Sequence, residues 1–175
     1  MPRDPAKGHA ALRRGRFSST GAEYFLTICT QSRQPGLTAS PVATAIMDEM
    51  HRMESDGTWQ VRCAVVMPDH LHLLVILGDR LPLSRAVARL KAKSGSTLGA
   101  YAQLQWQRGF FDHHIRPEDD RLSLFLYVFL NPYRAALCQR RDSWPWYYCG
   151  ASDWAWFRDM LNSDRPVPEW LAENG

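Results

Sequence analysis

No stretch of this chain approaches the roughly 20 consecutive apolar residues that a membrane-spanning helix requires. The first sixteen residues, MPRDPAKGHAALRRGR, contain no apolar core that would serve as a secretory signal. Four cysteines are present (Cys29, Cys63, Cys138 and Cys149), and no two of them stand in a C-x-x-C spacing. At 175 residues a domain does not need a disulfide framework, so reduced, packed thiols are expected. Internal repeats and low-complexity tracts are absent as well. The 45% hydrophobic and 22% charged residues exclude a disordered, collagenous or coiled-coil chain. These features predict a cytosolic protein with no membrane partner, built as one domain with an added tail.

Acidic residues are scarce in two places. Residues 1–16 carry Arg3, Lys7, Arg13, Arg14 and Arg16 against Asp4 alone, and residues 80–93 carry Arg80, Arg85, Arg89, Lys91 and Lys93 with no acid. From residue 142 onward the balance reverses, with six carboxylates, among them Asp142 and Glu173, against Arg158 and Arg165. A basic front and an acidic rear suggest an anionic partner, nucleic acid among the candidates. Arg-rich helix faces that are simply solvated remain the alternative.

Hydrophobic patterning predicts the elements. Glu23–Thr30 (EYFLTICT) reads as a strand after a Ser-Ser-Thr-Gly turn. Ser40-Pro41 reads as a helix start, with Val42, Ile46, Met50 and Met53 at helical spacing. Thr58–Met67 and His70–Leu77 read as two strands, antiparallel because only Pro68-Asp69 separates them. A helix opens at Leu81-Pro82, is interrupted at Ser94-Gly95-Ser96, and resumes through Leu98, Tyr101 and Leu104. Phe110–Arg116 is a short fourth strand. Pro117–Asp120 then starts a helix that runs through Phe125 and Phe129 to Asn131-Pro132. The order β-α-β-β-α-β followed by α predicts an α+β, ferredoxin-like split βαβ fold, an antiparallel sheet with helices on one face. Three segments follow: a basic N-terminal arm (1–16), a central domain (17–142) and an aromatic-rich C-terminal tail (143–175). The tail crowds Trp144, Trp146, Tyr147, Tyr148, Trp154, Trp156 and Phe157 together. These rings either dock onto the domain as extra core or form a surface that stacks unpaired bases.

The most informative triplet is His70-Leu71-His72. Residues i and i+2 of a strand point to one face, so the two imidazoles project side by side, as two ligands of one divalent metal would. Alone, such a pair is weak evidence. Tyr127 and Asn131 stand four residues apart on one helical face. Asn131 offers a carbonyl oxygen to an ion, and Tyr127 offers a phenol beside it. A phenol ionises near pH 10, and a neighbouring cation would favour its phenolate while acting as a Lewis acid on a phosphoryl oxygen. A partly buried core tyrosine is the plainer reading.

Three stretches carry a resemblance: AVVMPDHLHLLV (64–75), WQRGFFDHHIR (106–116) and YVFLNPYRAAL (127–137), with RRGRFSSTGAEYFLT (13–27) ahead of them. In this order and spacing they resemble the REP-associated tyrosine transposases, relatives of the single-tyrosine HUH transposases of insertion sequences. The resemblance implies that His70 and His72 are the metal-binding pair, Tyr127 of the Y-x-x-x-N-P pattern the nucleophile, and Asn131 a further metal ligand. It implies Mg²⁺ or Mn²⁺ as cofactor and hairpin-forming, palindromic single-stranded DNA as partner. The expected chemistry is endonuclease and strand transfer through a 5′-phosphotyrosine. Two positions depart from the family pattern: Asp69 stands where many members have asparagine, and Ala136 where glycine is usual. Neither is expected to touch the chemistry. Arg13, Arg14, Arg16, Arg89, Lys91, Lys93 and Arg134 are the candidate DNA contacts, with a salt bridge or helix cap as the other reading of Arg134. His113, His114 and Asp112 are expected to be structural or DNA-facing. Tyr24, Tyr101 and Tyr133 are rival nucleophiles. A non-catalytic single-stranded nucleic-acid-binding module on the same fold is the alternative function. A monomer or a homodimer is expected.

Overall fold

The computed structural model describes residues 18–139 and 141–161. Arg13, Arg14 and Arg16 lie outside the described residues. Five antiparallel strands form one sheet in the order β4-β1-β3-β2-β5: β1 (Glu23–Cys29), β2 (Trp59–Val66), β3 (His70–Leu77), β4 (Phe111–Ile115) and β5 (Tyr147–Cys149). Among the described residues four α-helices accompany it: α1 (Ser40–Ser55), α2 (Leu83–Ala102), α3 (Arg121–Arg134) and α4 (Ala151–Phe157). The first four strands take the arrangement expected of the split βαβ pattern, with β1 and β3 at the centre.

Strand periodicity sorts the side chains. Leu71, Leu73, Val75 and Leu77 of β3 join Tyr24, Leu26 and Ile28 of β1 in a core with α1 and α2. Leu74 of β3, Phe25 of β1, and Cys63 and Val65 of β2 face the other way, into a second core with Phe125, Val128, Phe129 and Leu130 of α3. The two crossover helices therefore share one face, as expected, but α3 and α4 cover the opposite one. Both faces are buried, which accounts for the continuous apolar run of β3.

Two element boundaries differ from expectation. Ser94-Gly95-Ser96 does not interrupt α2, which is continuous over its 20 residues. The buried Ser94 hydroxyl donates to the Leu90 carbonyl at 2.7 Å and accepts from the Trp106 indole at 3.0 Å. With Leu90 and Leu98 buried on either side, packing outweighs the roughly 1 kcal/mol that a helical glycine costs. At α3, the acids of 118–120 precede the helix rather than filling its first turn. Asp120 is the N-cap and accepts from the Ser123 amide at 3.2 Å. Asp119 accepts from the Arg116 amide at 2.8 Å and holds the exit of β4.

Part of the aromatic segment closes the sheet. Residues 147–149 pair with 65–63 of β2. Trp144, Tyr147, Trp156 and Phe157 join the α3-side core, and Trp146 and Tyr148 join the other. Arg62, largely buried on β2, bonds Glu23 of β1 at 2.6 Å and Asp153 of α4. Burial works against its charge, but these two carboxylates outweigh it and hold the guanidinium firmly protonated. Arg121 of α3 reaches Glu23 from the other side at 3.0 Å, so one ionic cluster ties both central and outer elements to the α3 side.

Asp56, just past α1, accepts from the Thr58 hydroxyl at 2.6 Å and from Arg89 at 2.6 Å. These bonds lower its pKa to about 2, the Thr58 bond contributing most. A carboxyl depressed in the folded state stabilises it above its ordinary value and loses that contribution as pH falls toward the depressed one. Urea titrations should therefore show stability falling as pH drops from about 4 to 2, and Asp56→Asn should flatten that limb while lowering stability at neutral pH.

Candidate active site

His70, His72 and Leu74 share the sheet face that α3 covers. Both imidazoles are nearly dry, at 9% and 4% exposure, whereas Tyr127 on α3 is 41% exposed. The two histidine rings lie 4.6 Å apart between centroids, and the Tyr127 ring lies 5.1 Å from that of His72. Phe25 stacks on His72 at 5.2 Å and meets Tyr127 edge-on at 5.9 Å. Asn131 follows Tyr127 by one helical turn.

Each imidazole is held by its Nδ1. Asp69 Oδ1 lies 2.6 Å from His70 Nδ1. A carboxylate only accepts, so His70 carries its proton on Nδ1 and leaves Nε2 as a bare lone pair. Arg33 grips the other oxygen of Asp69 at 3.0 Å. His72 Nδ1 meets the Thr27 hydroxyl at 2.9 Å. The Leu26 backbone beside the ring pulls its pKa upward, against the larger effect of burial. His72 Nε2 is buried and has no hydrogen-bond partner among the described residues. Burial depresses the pKa of His70 against the opposing pull of Asp69. Burial, followed by the neighbouring His70, takes His72 down to about 3. Both rings are thus neutral at physiological pH, the state in which imidazole binds a metal.

A buried ring nitrogen without a partner is costly unless something fills it. The donor set fits a borderline divalent cation. Among the described residues no cluster of three or more His, Cys, Asp or Glu is placed to hold a metal, so the pair would need oxygen ligands from elsewhere. Asn131, one turn from Tyr127 on α3, is a candidate to supply an amide oxygen.

The remaining tyrosines lie elsewhere. Tyr133 donates to the Asp142 carbonyl at 2.8 Å, Tyr24 is buried in the opposite core, Tyr101 projects from α2, Tyr147 is half-buried on β5 with its hydroxyl enclosed and Tyr148 bonds Glu54 at 3.3 Å. Tyr127 alone stands beside the histidines.

Among the described residues, the predicted basic residues of α2 do not gather at this site. α2 covers the face opposite the histidines. Arg89 bonds Glu49 at 2.8 Å and Asp56 at 2.6 Å, which pins α2 to α1. Lys91 donates to the carbonyls of Gln107 and Gly109 at 2.7 and 2.6 Å. Lys93 on α2 and Arg134 at the end of α3 are exposed. His113 shares the histidine face and bonds Asp119 at 3.1 Å, and His114 stacks on Tyr24 on the other face, as strand parity requires. Asp69 was expected to stand clear of the chemistry, and the structure corrects this: its carboxylate fixes the His70 ring. Thr27, Phe25 and Arg33 were not singled out from the sequence. Thr27 and Phe25 come from β1, whose register against β3 pairs Thr27 with His72, a juxtaposition that no local pattern shows.

A family model described as "Transposase IS200 like" matches residues 18–116, more than half of the chain. The chain belongs to the IS200-like transposase family. The match spans the histidine pair and its β1 scaffold but ends ahead of α3, so the placement of Tyr127 comes from the fold. The transposase is 23% identical over 160 residues to the REP-associated tyrosine transposase of Escherichia coli (strain K12), covering 90% of each chain. Its fold matches a solved structure of a REP-associated tyrosine transposase bound to a REP hairpin, with a TM-score of 0.64 and 21% identity, over 77% of this chain and 81% of that one. No helix among the described residues of the transposase is long and apolar enough to cross a membrane.

Removing the Asp69 carboxylate releases His70 from its single tautomer. In Asp69→Ala, ¹⁵N-detected histidine NMR at neutral pH should show His70 shifting from a pure Nδ1–H form to a mixture, while His72 keeps its signals. An unchanged His70 spectrum would contradict this role.

Proposed function

We propose that the protein cleaves and rejoins single-stranded, hairpin-forming DNA through a 5′-phosphotyrosine on Tyr127, with a divalent cation, Mg²⁺ or Mn²⁺, held by His70, His72 and Asn131. The observation that carries this reading is the arrangement of one accessible phenol beside two dry, neutral imidazoles, one of them with a buried ring nitrogen and no partner among the described residues. Membership of a transposase family supplies the reaction class, and the solved relative is described as bound to a REP hairpin.

The chain's own residues divide the work. Asp69 and Thr27 orient the imidazoles, and Phe25 stacks against His72 and keeps water from its flank. When bound, a divalent cation would withdraw charge from a scissile phosphodiester and favour the phenolate of a nearby tyrosine. The Tyr127 oxygen attacks phosphorus in line. A phosphorus–oxygen bond to Tyr127 forms as the bond to the 3′ oxygen breaks, and that oxygen takes up a proton to become a 3′-hydroxyl. One phosphodiester replaces another, so no nucleotide cofactor is needed. A later 3′-hydroxyl attacks the phosphotyrosine and restores a DNA phosphodiester. The exposure of Tyr127 suits a polymeric substrate, and the burial of the histidines suits a charge that acts best away from water.

Incubation with hairpin-bearing single-stranded DNA and Mn²⁺ should yield a covalent protein–DNA adduct on a denaturing gel. Tyr127→Phe should abolish it while retaining the fold. An adduct that persists in Tyr127→Phe, or binding without any adduct across suitable hairpins, would favour the non-catalytic binding module. Thr27→Val removes the partner of His72 Nδ1 with little change of shape. Loss of such an outer partner costs metal affinity about 10–100-fold, so Mn²⁺ titration followed by electron paramagnetic resonance should show that drop.

A further inference from the structure

A groove of about 430 Å³ lies away from the histidines, between α2 and the segment that leads into β4. Its walls are Val87, Ala88 and Lys91 on the α2 side and Trp106, Arg108 and Phe110 on the other. Three properties distinguish it from an ordinary surface crease. First, it is built on fixed aromatics: the Trp106 indole donates to the buried Ser94 hydroxyl at 3.0 Å, and both Trp106 and Phe110 pack against the core. Second, it is cationic at its rim. Lys91 ties the segment down through the Gln107 and Gly109 carbonyls and lies 6.0 Å from the Phe110 ring centroid, and Arg108 is exposed. Third, it is coupled to the active site through the backbone. The Gln107 amide donates to the Cys29 carbonyl at 2.9 Å and the Gln31 amide to the Gln105 carbonyl at 2.8 Å, and Cys29 is the cross-strand partner of His70. The groove segment therefore runs two strand spacings, about 10 Å, from the His70 backbone.

We propose that this groove holds one unpaired nucleotide of single-stranded DNA, its base against Trp106 and Phe110 and its phosphate drawn to Lys91 and Arg108. The occupant follows from the chemistry of the walls. At 430 Å³ the groove is at the small end of ligand sites, about 300–1,000 Å³, which suits a single ring system rather than a partner helix. Aromatic faces flanked by cations are the combination that binds a base together with its phosphate, and stacking accepts any base. The groove also gives Lys91 of the basic stretch of α2, which does not reach the histidines, a place where it can serve DNA. This site rests on the DNA reading of Tyr127, but it requires only binding and not cleavage.

The test uses the full chain carrying Tyr127→Phe, so that bound DNA stays intact. A hairpin with a short unpaired overhang, substituted in turn with 5-iododeoxyuridine, is irradiated on the protein and the cross-links are mapped by mass spectrometry. We expect one overhang position to cross-link to Trp106 or Phe110. Ala88→Phe, an exposed change that fills the groove without touching the indole, should weaken binding of overhang DNA about tenfold, the order that stacking one base supplies. Binding of the blunt hairpin should be unaffected. Arg108→Ala should weaken overhang binding and lower its salt dependence. Cross-links confined to other segments, or unaltered overhang affinity in Ala88→Phe, would overturn the site and leave the role of Tyr127 standing. Tighter binding in Ala88→Phe would show that the groove holds a segment of the chain itself, and would also overturn it. Failure of the protein to bind any unpaired DNA would remove both proposals together.

Discussion

The register of β3 between β1 and β2 is the constraint on which everything else rests. Side chains alternate along a strand, so a slip of one residue exchanges its two faces. In the observed register Leu71, Leu73, Val75 and Leu77 enter the core under α1 and α2, and His70 and His72 emerge on the α3 side. A one-residue slip would drive both imidazoles into an apolar core and bring the leucines out beside Tyr127. The short Pro68-Asp69 connection leaves little room for such a slip. Burial of four aliphatic side chains, each contributing about 1.5–3 kcal/mol, therefore fixes the position of two polar ones. The stability of the sheet and the geometry of the site are one choice of register.

The same register supplies the polar support. Thr27 lies opposite His72 because β1 and β3 pair there. Asp69 reaches His70 because it is the last residue of the turn. Arg33 reaches Asp69 from the short 3₁₀ turn Gln31–Arg33 after β1. Both histidines thus have their Nδ1 engaged, and the burial that deprives them of water also keeps them neutral. A site built on adjacent strands of a central sheet is stiffer than one assembled from loops, which suits a reaction that depends on in-line geometry.

Much of this was legible in the sequence where the signal is local. The split βαβ order, the bounds of β3, the histidine pair and the Tyr127–Asn131 spacing all follow from periodicity and turn residues. What was not legible depends on contacts distant in the chain. Gly95 has the composition of a break, yet α2 continues because Ser94 is buried against Trp106. Arg89 belongs to a basic run, yet Glu49 and Asp56, far away in sequence, take up its guanidinium. Asp69 stood in plain view beside His70, but its significance lies in which way its side chain turns. The crowded aromatics of the last third were open to two readings, and those in the described residues, except the exposed Trp154, divide between the two cores.

α3 shows how one helix serves two demands. Phe125, Val128, Phe129 and Leu130 bury its inner side, and Tyr127 stands at the margin of that side, against His72 and Phe25 yet more than a third exposed. Pro132 lies inside the last turn. Having no N–H, it cannot bond the Val128 carbonyl, and its ring crowds that carbonyl. The backbone between Tyr127 and Asn131 is therefore less tightly laddered than the turns before it, while Pro132 itself is buried and keeps the helix seated. In the proposed reaction, a nucleophile that first approaches a phosphate and is later displaced from it would benefit from this combination: an anchored apolar side, and one backbone bond fewer in the stretch that carries the phenol and the amide.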